Sequence, residues 1–122
     1  MIEFLDGPAA GVALRLMRAP VCLRAVCSPA GNWDALDQLT DTPRPRERVY
    51  VYVCVTDVAR YCIRSSQRAV SGFYLAARYR HYPDAPSFAD NAAWQRWCET
   101  NREILNAFRA KHVEQYLKGP TA

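Results

Sequence analysis

Five cysteines and two histidines are the side chains of this chain best suited to metal binding or nucleophilic chemistry. They are Cys22, Cys27, Cys54, Cys62, Cys98, His81 and His112. A zinc site uses closely spaced cysteine pairs or mixed Cys/His clusters. Cys22 and Cys27 are instead five residues apart, which places them on opposite faces of a strand. Because unbonded cysteine is also among the most buried residue types, we expect structural thiols and no metal site.

The two histidines give no signature of a catalytic triad. A triad needs a nucleophile, a base and an orienting group that the fold brings together, and neither histidine has such partners at a recognisable spacing. His112 lies near the end of a predicted helix, where a cation is favourable for the helix dipole alone. The sequence accordingly predicts no catalytic residue, no cofactor and no enzymatic activity.

Three acids, Asp34, Asp37 and Asp41, lie close together in the middle of the chain. Paired carboxylates bind divalent cations or perform acid–base chemistry. One helical turn would align Asp34 with Asp37, but acids at the start of a short helix are also explained by the helix dipole. The glycine-rich turn at residues 6–11 lacks the phosphate-binding pattern GxxxxGK[ST]. We interpret both segments as structural.

Alternating arginine and tyrosine near the end of the predicted sheet is the feature that points most clearly to binding. The predicted partner- or nucleic-acid-binding residues are Arg60, Arg64, Tyr74, Arg78, Arg80 and Tyr82. A sheet that exposes aromatic and cationic side chains can stack on bases and neutralise the phosphates of single-stranded nucleic acid. Arginine and tyrosine are equally favoured at protein interfaces. In the structural alternative, the tyrosines pack beneath a helix and the arginines face water.

Composition places these residues in a single domain, predicted to span residues 1–122. The length suits one domain, and a chain with 50% hydrophobic and 23% charged residues is globular rather than disordered. The net charge of +4 mildly favours acidic partners, but it falls short of the basic surface of a dedicated DNA-binding domain. The sequence contains no apolar run of about 18 residues, so no membrane span is predicted. An odd number of cysteines without a secretory leader predicts reduced thiols in the cytoplasm.

Alternating apolar residues predict a sheet over residues 1–82. Strands are expected at residues 2–5, 12–17, 21–27, 49–55, 61–64 and 72–82. In residues 49–55 the valines share one face and the tyrosines the other, which predicts a central strand covered on both sides. We expect a turn at residues 56–57, after which residues 61–64 pair back. Residues 33–39 are expected to form a helical turn or a plug over the core, and Arg24 is expected to point outward.

A helix is predicted at about residues 88–118. Ser87 resembles an N-cap with an acid, Asp90, three residues later. The expected sheet-facing stripe consists of Trp94, Trp97, Ile104, Leu105 and Phe108. An unbroken helix of this length would extend for about 46 Å, so we expect a bend between about residues 107 and 112. The predicted fold class is α+β, a strongly curved or barrel-like antiparallel sheet of five or six strands with the C-terminal helix packed on it.

Several short segments of the first 80 residues bear a family resemblance as a set. They are residues 4–11 (FLDGPAAG), 18–20 (RAP), 23–26 (LRAV), 33–39 (WDALDQL) and 47–52 (ERVYVY). The set resembles small uncharacterised proteins encoded by bacteriophages and by phage-like elements in bacterial genomes. The resemblance implies a phage or mobile-element context, with a location in the bacterial cytoplasm or in the virion, and it implies no activity.

Together these features predict a non-enzymatic, protein-binding accessory of a phage or phage-like element. Such a protein would be a small virion component or an inhibitor of a host protein. A protein partner or self-assembly is expected ahead of nucleic acid, and neither a membrane nor a small-molecule cofactor is expected. The alternative is a nucleic-acid-binding module that uses the Arg/Tyr face of the sheet.

Overall fold

A computed structural model shows a strand-rich region followed by helices. It describes residues 1–38, 41–64, 70–86, 88 and 90–118. The strands among these residues are β1 (Ile2–Phe4), β2 (Ala13–Leu14), β3 (Cys22–Cys27), β4 (Trp33–Leu36), β5 (Arg48–Cys54), β6 (Ala59–Arg64) and β7 (Val70–His81). The helices are α1 (Asn91–Thr100) and α2 (Arg102–Lys118).

The strands form a curved, nearly closed, barrel-like sheet in the order β2–β1–β7–β5–β3–β4, and β6 pairs with β7. The predicted α+β class with a barrel-like sheet is thereby confirmed. One pairing differs from the expected antiparallel pattern, because β1 runs parallel to β7 with Ile2 opposite Ala77. Parallel neighbours need a long connection, and here most of the sheet lies between the two strands in the sequence.

As predicted, β5 is a central strand with both faces covered. It lies between β3 and β7, and its successive side chains point to opposite faces. The tyrosine face lines the inner core, whose largest buried members are Ile2, Phe4, Leu23, Tyr52 and Tyr79. The valine face lies on the helix side, where Val51 packs with Phe88 and Trp94.

The C-terminal helical region is broken at Asn101 rather than between residues 107 and 112. Asn101 has non-helical backbone angles, and its N–H and side-chain Nδ2 both donate to the Trp97 carbonyl, at 3.0 and 2.9 Å. The Asn101 carbonyl accepts the Leu105 N–H at 2.9 Å, so one residue closes α1 and opens α2. Asparagine side chains compete with helical backbone bonds, which explains why the break lies here.

The start of α1 also differs from the prediction. The N-cap is Asp90, whose carboxylate accepts the Ala92 N–H at 3.0 Å, whereas the predicted cap, Ser87, lies outside the described residues. The predicted stripe is correct at Leu105, which is buried, but wrong at Ile104, which is 53% exposed. The break at Asn101 changes which residues of α2 face the sheet.

Two predictions for the middle of the chain are also wrong. Residues 33–36 form β4, antiparallel to β3, rather than a helical turn; Leu39, at the end of the predicted segment, lies outside the described residues. Arg24, expected to point outward, is fully buried. Its guanidinium lies 5.1 Å from the Trp94 ring centroid, because α1 covers this face of β3.

Candidate interaction surface

β5 and β6 pair with the same strand, β7, one after the other. The register shifts at residues 55–58, since β5 ends opposite Tyr79 and β6 begins opposite Ala76. Thr56 lies in this bulge, and its Oγ1 accepts the Arg78 N–H at 2.9 Å. The predicted turn is therefore a bulge, which bends a strand without reversing it. The chain continues along β7 instead of pairing back onto β5.

This continuation forms a two-stranded ribbon, β6 with residues 70–76 of β7, which we call the hairpin arm. In the described part of the chain β6 hydrogen-bonds to β7 alone, so its other edge has no strand partner. The loop that joins the two strands, residues 65–69, lies outside the described residues. An unpaired strand edge is a template for pairing with another chain, so the hairpin arm is suited to contact a partner.

Aromatic and cationic side chains lie on both faces of the hairpin arm. Tyr61 and Tyr74 are cross-strand neighbours whose rings stack with centroids 5.3 Å apart and planes 19° apart, and Tyr61 is 50% exposed. The Arg15 guanidinium lies 5.9 Å from the Tyr74 ring centroid on this face, whereas that of Arg60 lies 3.7 Å from the Phe73 ring centroid on the opposite face. Cross-strand aromatic pairs and cation–π contacts stabilise such a ribbon. The Tyr61–Tyr74 pair therefore holds the two strands together and presents an aromatic ring to solvent.

Part of the predicted binding set lies on the hairpin arm, namely Arg60, Tyr74 and Arg64. Arg60 is exposed and Tyr74 is half-buried. The backbone of Arg64 pairs with Val70 at the far end of the arm, and the placement of its side chain lies outside the described part of the structure. The structure thus places Arg60 and Tyr74 on adjacent strands but on opposite faces of the arm, since Arg60 packs on Phe73 whereas Tyr74 stacks on Tyr61.

Arg78 and Arg80 lie on the barrel part of β7, each beside a carboxylate. The Arg78 Nε lies 3.4 Å from the Glu3 carboxylate, and the Arg80 guanidinium lies 3.2 Å from that of Asp6. Surface ion pairs contribute little to stability, but each offsets a positive charge that a phosphate would otherwise meet. These two pairs weigh against a basic stripe along the whole of β7.

Tyr82 lies beneath the helices rather than on an open face. Its ring meets those of Trp97 and Phe108 edge-on, with centroids 5.8 and 5.1 Å away. The structural alternative therefore applies at this position, because Tyr82 packs the sheet against α1 and α2. Tyr82 therefore offers little to a partner.

Asp6, which the sequence did not single out as a site residue, ties the first turn to the end of β7. Its Oδ1 accepts the His81 N–H at 2.6 Å, and its carbonyl accepts the Tyr52 hydroxyl at 2.8 Å. The Tyr52 oxygen in turn accepts the Ala9 N–H at 2.8 Å. Gly7 has a φ of +70°, and an added Cβ would lie 2.5 Å from the His81 Cβ. The glycine-rich turn is therefore packed tightly against the barrel.

The three acids of the middle segment do not converge on a cation site. Asp34 accepts the neighbouring Ala35 N–H at 2.7 Å, and Asp41 accepts the Gln38 N–H at 3.2 Å. Asp34 and Asp41 line a polar cavity of about 480 Å³, and burial raises the pKa of Asp37. Among the residues that the structure describes, no group of three or more His, Cys, Asp or Glu is arranged to hold a metal ion.

Both histidines pack against aromatic rings. The His81 ring centroid lies 5.4 Å from that of Tyr52 and 6.1 Å from that of Tyr50, while that of His112 lies 4.2 Å from Phe108. Burial, with a smaller contribution from nearby positive charge, lowers the pKa of His112. These are packing environments, and they add no argument for catalysis.

Comparison with known protein families, with curated proteins and with solved structures finds no match to this chain. The resemblance to phage proteins therefore stays a prediction from the segments quoted above. Within the described ranges, no helix combines the length and apolar character needed to cross a bilayer. The geometry of the hairpin arm is the observation that bears most directly on function.

Proposed function

We propose that this chain is a non-enzymatic protein-binding module whose contact surface is the hairpin arm. The observation that carries the proposal is the partly exposed Tyr61–Tyr74 stack on a ribbon with an unpaired outer edge. Tyrosine and arginine are enriched at the energetic centres of protein interfaces. A tyrosine ring also offers a large, rigid contact area at a small cost in conformational entropy.

The partner that fits this surface is a protein with an apolar pocket rimmed by carboxylates. The pocket would receive the Tyr61 ring, half of which is exposed, and a carboxylate would pair with the exposed Arg15, whose guanidinium lies 5.9 Å from the Tyr74 ring. The net charge of +4 favours such an acidic surface. An extended segment of the partner could add backbone hydrogen bonds along the free edge of β6. A virion protein or a bacterial host protein is the partner that the sequence resemblance implies.

Affinity capture with the tagged full-length chain tests this proposal. Tyr61→Ser removes the exposed ring, and Ile104→Ser is the matched control because Ile104 is a similarly exposed apolar side chain on α2. From lysates of infected and uninfected bacteria, we expect wild type and Ile104→Ser to capture one defined protein that Tyr61→Ser does not. Thermal unfolding of all three verifies that they fold alike. Equal capture by the three proteins, or capture by none, contradicts the assignment.

Nucleic-acid binding is the second candidate, and the same tyrosine stack favours it, because bases stack on exposed aromatic rings. The carboxylates beside Arg78 and Arg80 weigh against it. Size-exclusion chromatography with light scattering, with labelled single-stranded DNA of about 20 nucleotides, separates the two candidates. A complex that weakens with added salt, as counterion release requires, and that Tyr61→Ser abolishes would establish the second candidate. A salt-insensitive complex would contradict phosphate binding.

A further inference from the structure

A groove beside the start of β3 brings two cysteines together. Its volume is about 400 Å³, and its lining includes Val21, Cys22, Gln95, Cys98 and Leu105. Cys22 begins β3, and Cys98 lies in the last turn of α1. Both side chains are half-buried and pack against the cluster beneath the helices. Thiols from two elements far apart in the sequence therefore open onto the same groove.

The two thiols affect each other's pKa, and their environments differ. Hydrogen bonding between the Cys22 and Cys98 thiols is the largest cause of a shift in the pKa of each. The buried Arg24, two residues after Cys22 on the same face of β3, brings a positive charge near Cys98. The hydrogen bond first, and Arg24 second, lower the pKa of Cys98, while the hydrogen bond and burial raise the pKa of Cys22. This environment thus favours ionisation of Cys98 over that of Cys22.

We propose that Cys98 and Cys22 form a reversible redox pair that reacts with small disulfides of the glutathione type. The Cys98 thiolate attacks one sulfur of the small disulfide, which forms a mixed disulfide and releases one thiolate. Cys22 passes its proton to that leaving thiolate and attacks the Cys98 sulfur, so the Cys22–Cys98 bond forms and a second thiolate leaves. Two protein thiols are oxidised, and one small disulfide is reduced to two thiols.

The product would join β3 to α1 across the groove. A cross-link between distant parts of the chain restricts the unfolded state and so stabilises the folded one. Oxidation would therefore raise the melting temperature and fix the helix that covers Arg24 and Val51. The exposed Cys62 lies on the hairpin arm, away from this groove.

Mass spectrometry of the full-length chain tests the pair, with Cys62→Ser as the reference protein so that the exposed thiol does not compete. After incubation with oxidised glutathione, we expect the reference protein to lose two hydrogens and to yield a linked peptide containing Cys22 and Cys98. Adding Cys22→Ser should leave one glutathionyl group on Cys98, because the resolving thiol is absent. Adding Cys98→Ser instead should leave Cys22 unmodified.

Alkylation of the wild-type chain by iodoacetamide gives a second readout that needs no variant to fold. We expect the rate at Cys98, followed by peptide mapping over a series of pH values, to have its midpoint below the ordinary cysteine value of about 8.5. The proposal is overturned if the linked peptide does not form and Cys98 stays free of glutathione when Cys22 is replaced. The proposal is also overturned if the midpoint pH for alkylation of Cys98 lies at or above the ordinary cysteine pKa of about 8.5.

Discussion

Tyr52 links the first turn of the chain to the centre of the sheet, and Tyr52→Phe tests that link. The side chain is fully buried, and its oxygen accepts the Ala9 N–H and donates to the Asp6 carbonyl, both at 2.8 Å. Because phenylalanine keeps the ring in the core, the substitution isolates the two hydrogen bonds. Ala9 is buried and would keep an unpaired N–H, whereas the half-exposed Asp6 can bond to water instead.

The size of the expected loss in stability follows from the Ala9 N–H, which Tyr52→Phe leaves without a hydrogen-bond acceptor. A buried donor left without a partner costs about 1–3 kcal/mol, so we expect Tyr52→Phe to lower the free energy of unfolding by about 2 kcal/mol. A chain of 122 residues has an unfolding entropy of about 0.26 kcal/mol/K. The corresponding decrease in Tm is about 8 °C. Urea titration measures the free energy of unfolding, and differential scanning calorimetry measures Tm.

Tyr50→Phe is the matched control for this experiment. Tyr50 lies on the same face of β5, and within the described part of the chain it makes ring contacts to Trp33 and His81 while its hydroxyl has no hydrogen-bond partner. We expect this variant to change the free energy of unfolding by less than about 0.5 kcal/mol. Equal losses in Tyr52→Phe and Tyr50→Phe would refute the reasoning, because the two hydrogen bonds would then contribute nothing specific.

Two further substitutions probe the glycine-rich turn and the acidic segment. Gly7→Ala should destabilise the fold more than Gly11→Ala in thermal unfolding, since both glycines have positive φ but only a Cβ at Gly7 meets His81; equal losses would contradict the clash. Asp37→Asn should raise stability at neutral pH, because burial raises the pKa of Asp37 and an ionised Asp37 therefore opposes folding. Urea titrations at several pH values should show the full gain in the free energy of unfolding above the pKa that Asp37 has in the folded state. The gain should disappear below the pKa of about 3.9 that an aspartate has in the unfolded chain. A gain that does not change with pH would contradict this explanation.

The faces of β5 could be predicted because strand alternation is a local property. Residues of opposite parity point to opposite faces whatever the neighbouring strands are, so the separation of Val51 from Tyr52 needs no knowledge of topology. The parallel pairing of β1 with β7 is different. Ile2 meets Ala77 across the sheet, and a strand of three residues does not specify which distant strand it will join.

Burial by a distant element explains the error at Arg24 and why the sequence did not indicate the cysteine pair. A charged residue at an outward position of a strand predicts exposure, but α1 covers this face and places Trp94 beside the guanidinium. Cys22 and Cys98 meet for the same reason. Spacing rules compare residues that are close in sequence, so they do not detect thiols that helix packing brings together.

Only part of the candidate site could be predicted, because some of its neighbours come from distant parts of the sequence. Arg60 and Tyr74 lie on adjacent strands of one ribbon, and their placement on opposite faces of it follows from local pairing. Arg78 and Arg80 meet Glu3 and Asp6, which belong to or follow β1 and reach β7 only through the non-local parallel pairing. Sequence alternation therefore placed the arginines on the correct strand but did not reveal the carboxylates beside them.

The assignment of the hairpin arm as the contact surface is tested most directly by photo-crosslinking in bacterial cells. A benzophenone amino acid in place of Tyr61 reacts with whatever touches the exposed ring, and the same amino acid in place of Ile104 samples an exposed position away from the arm. We expect irradiation to give a discrete adduct with one protein from position 61 and no such adduct from position 104. No protein adduct from position 61, or the same adducts from both positions, would contradict the assignment.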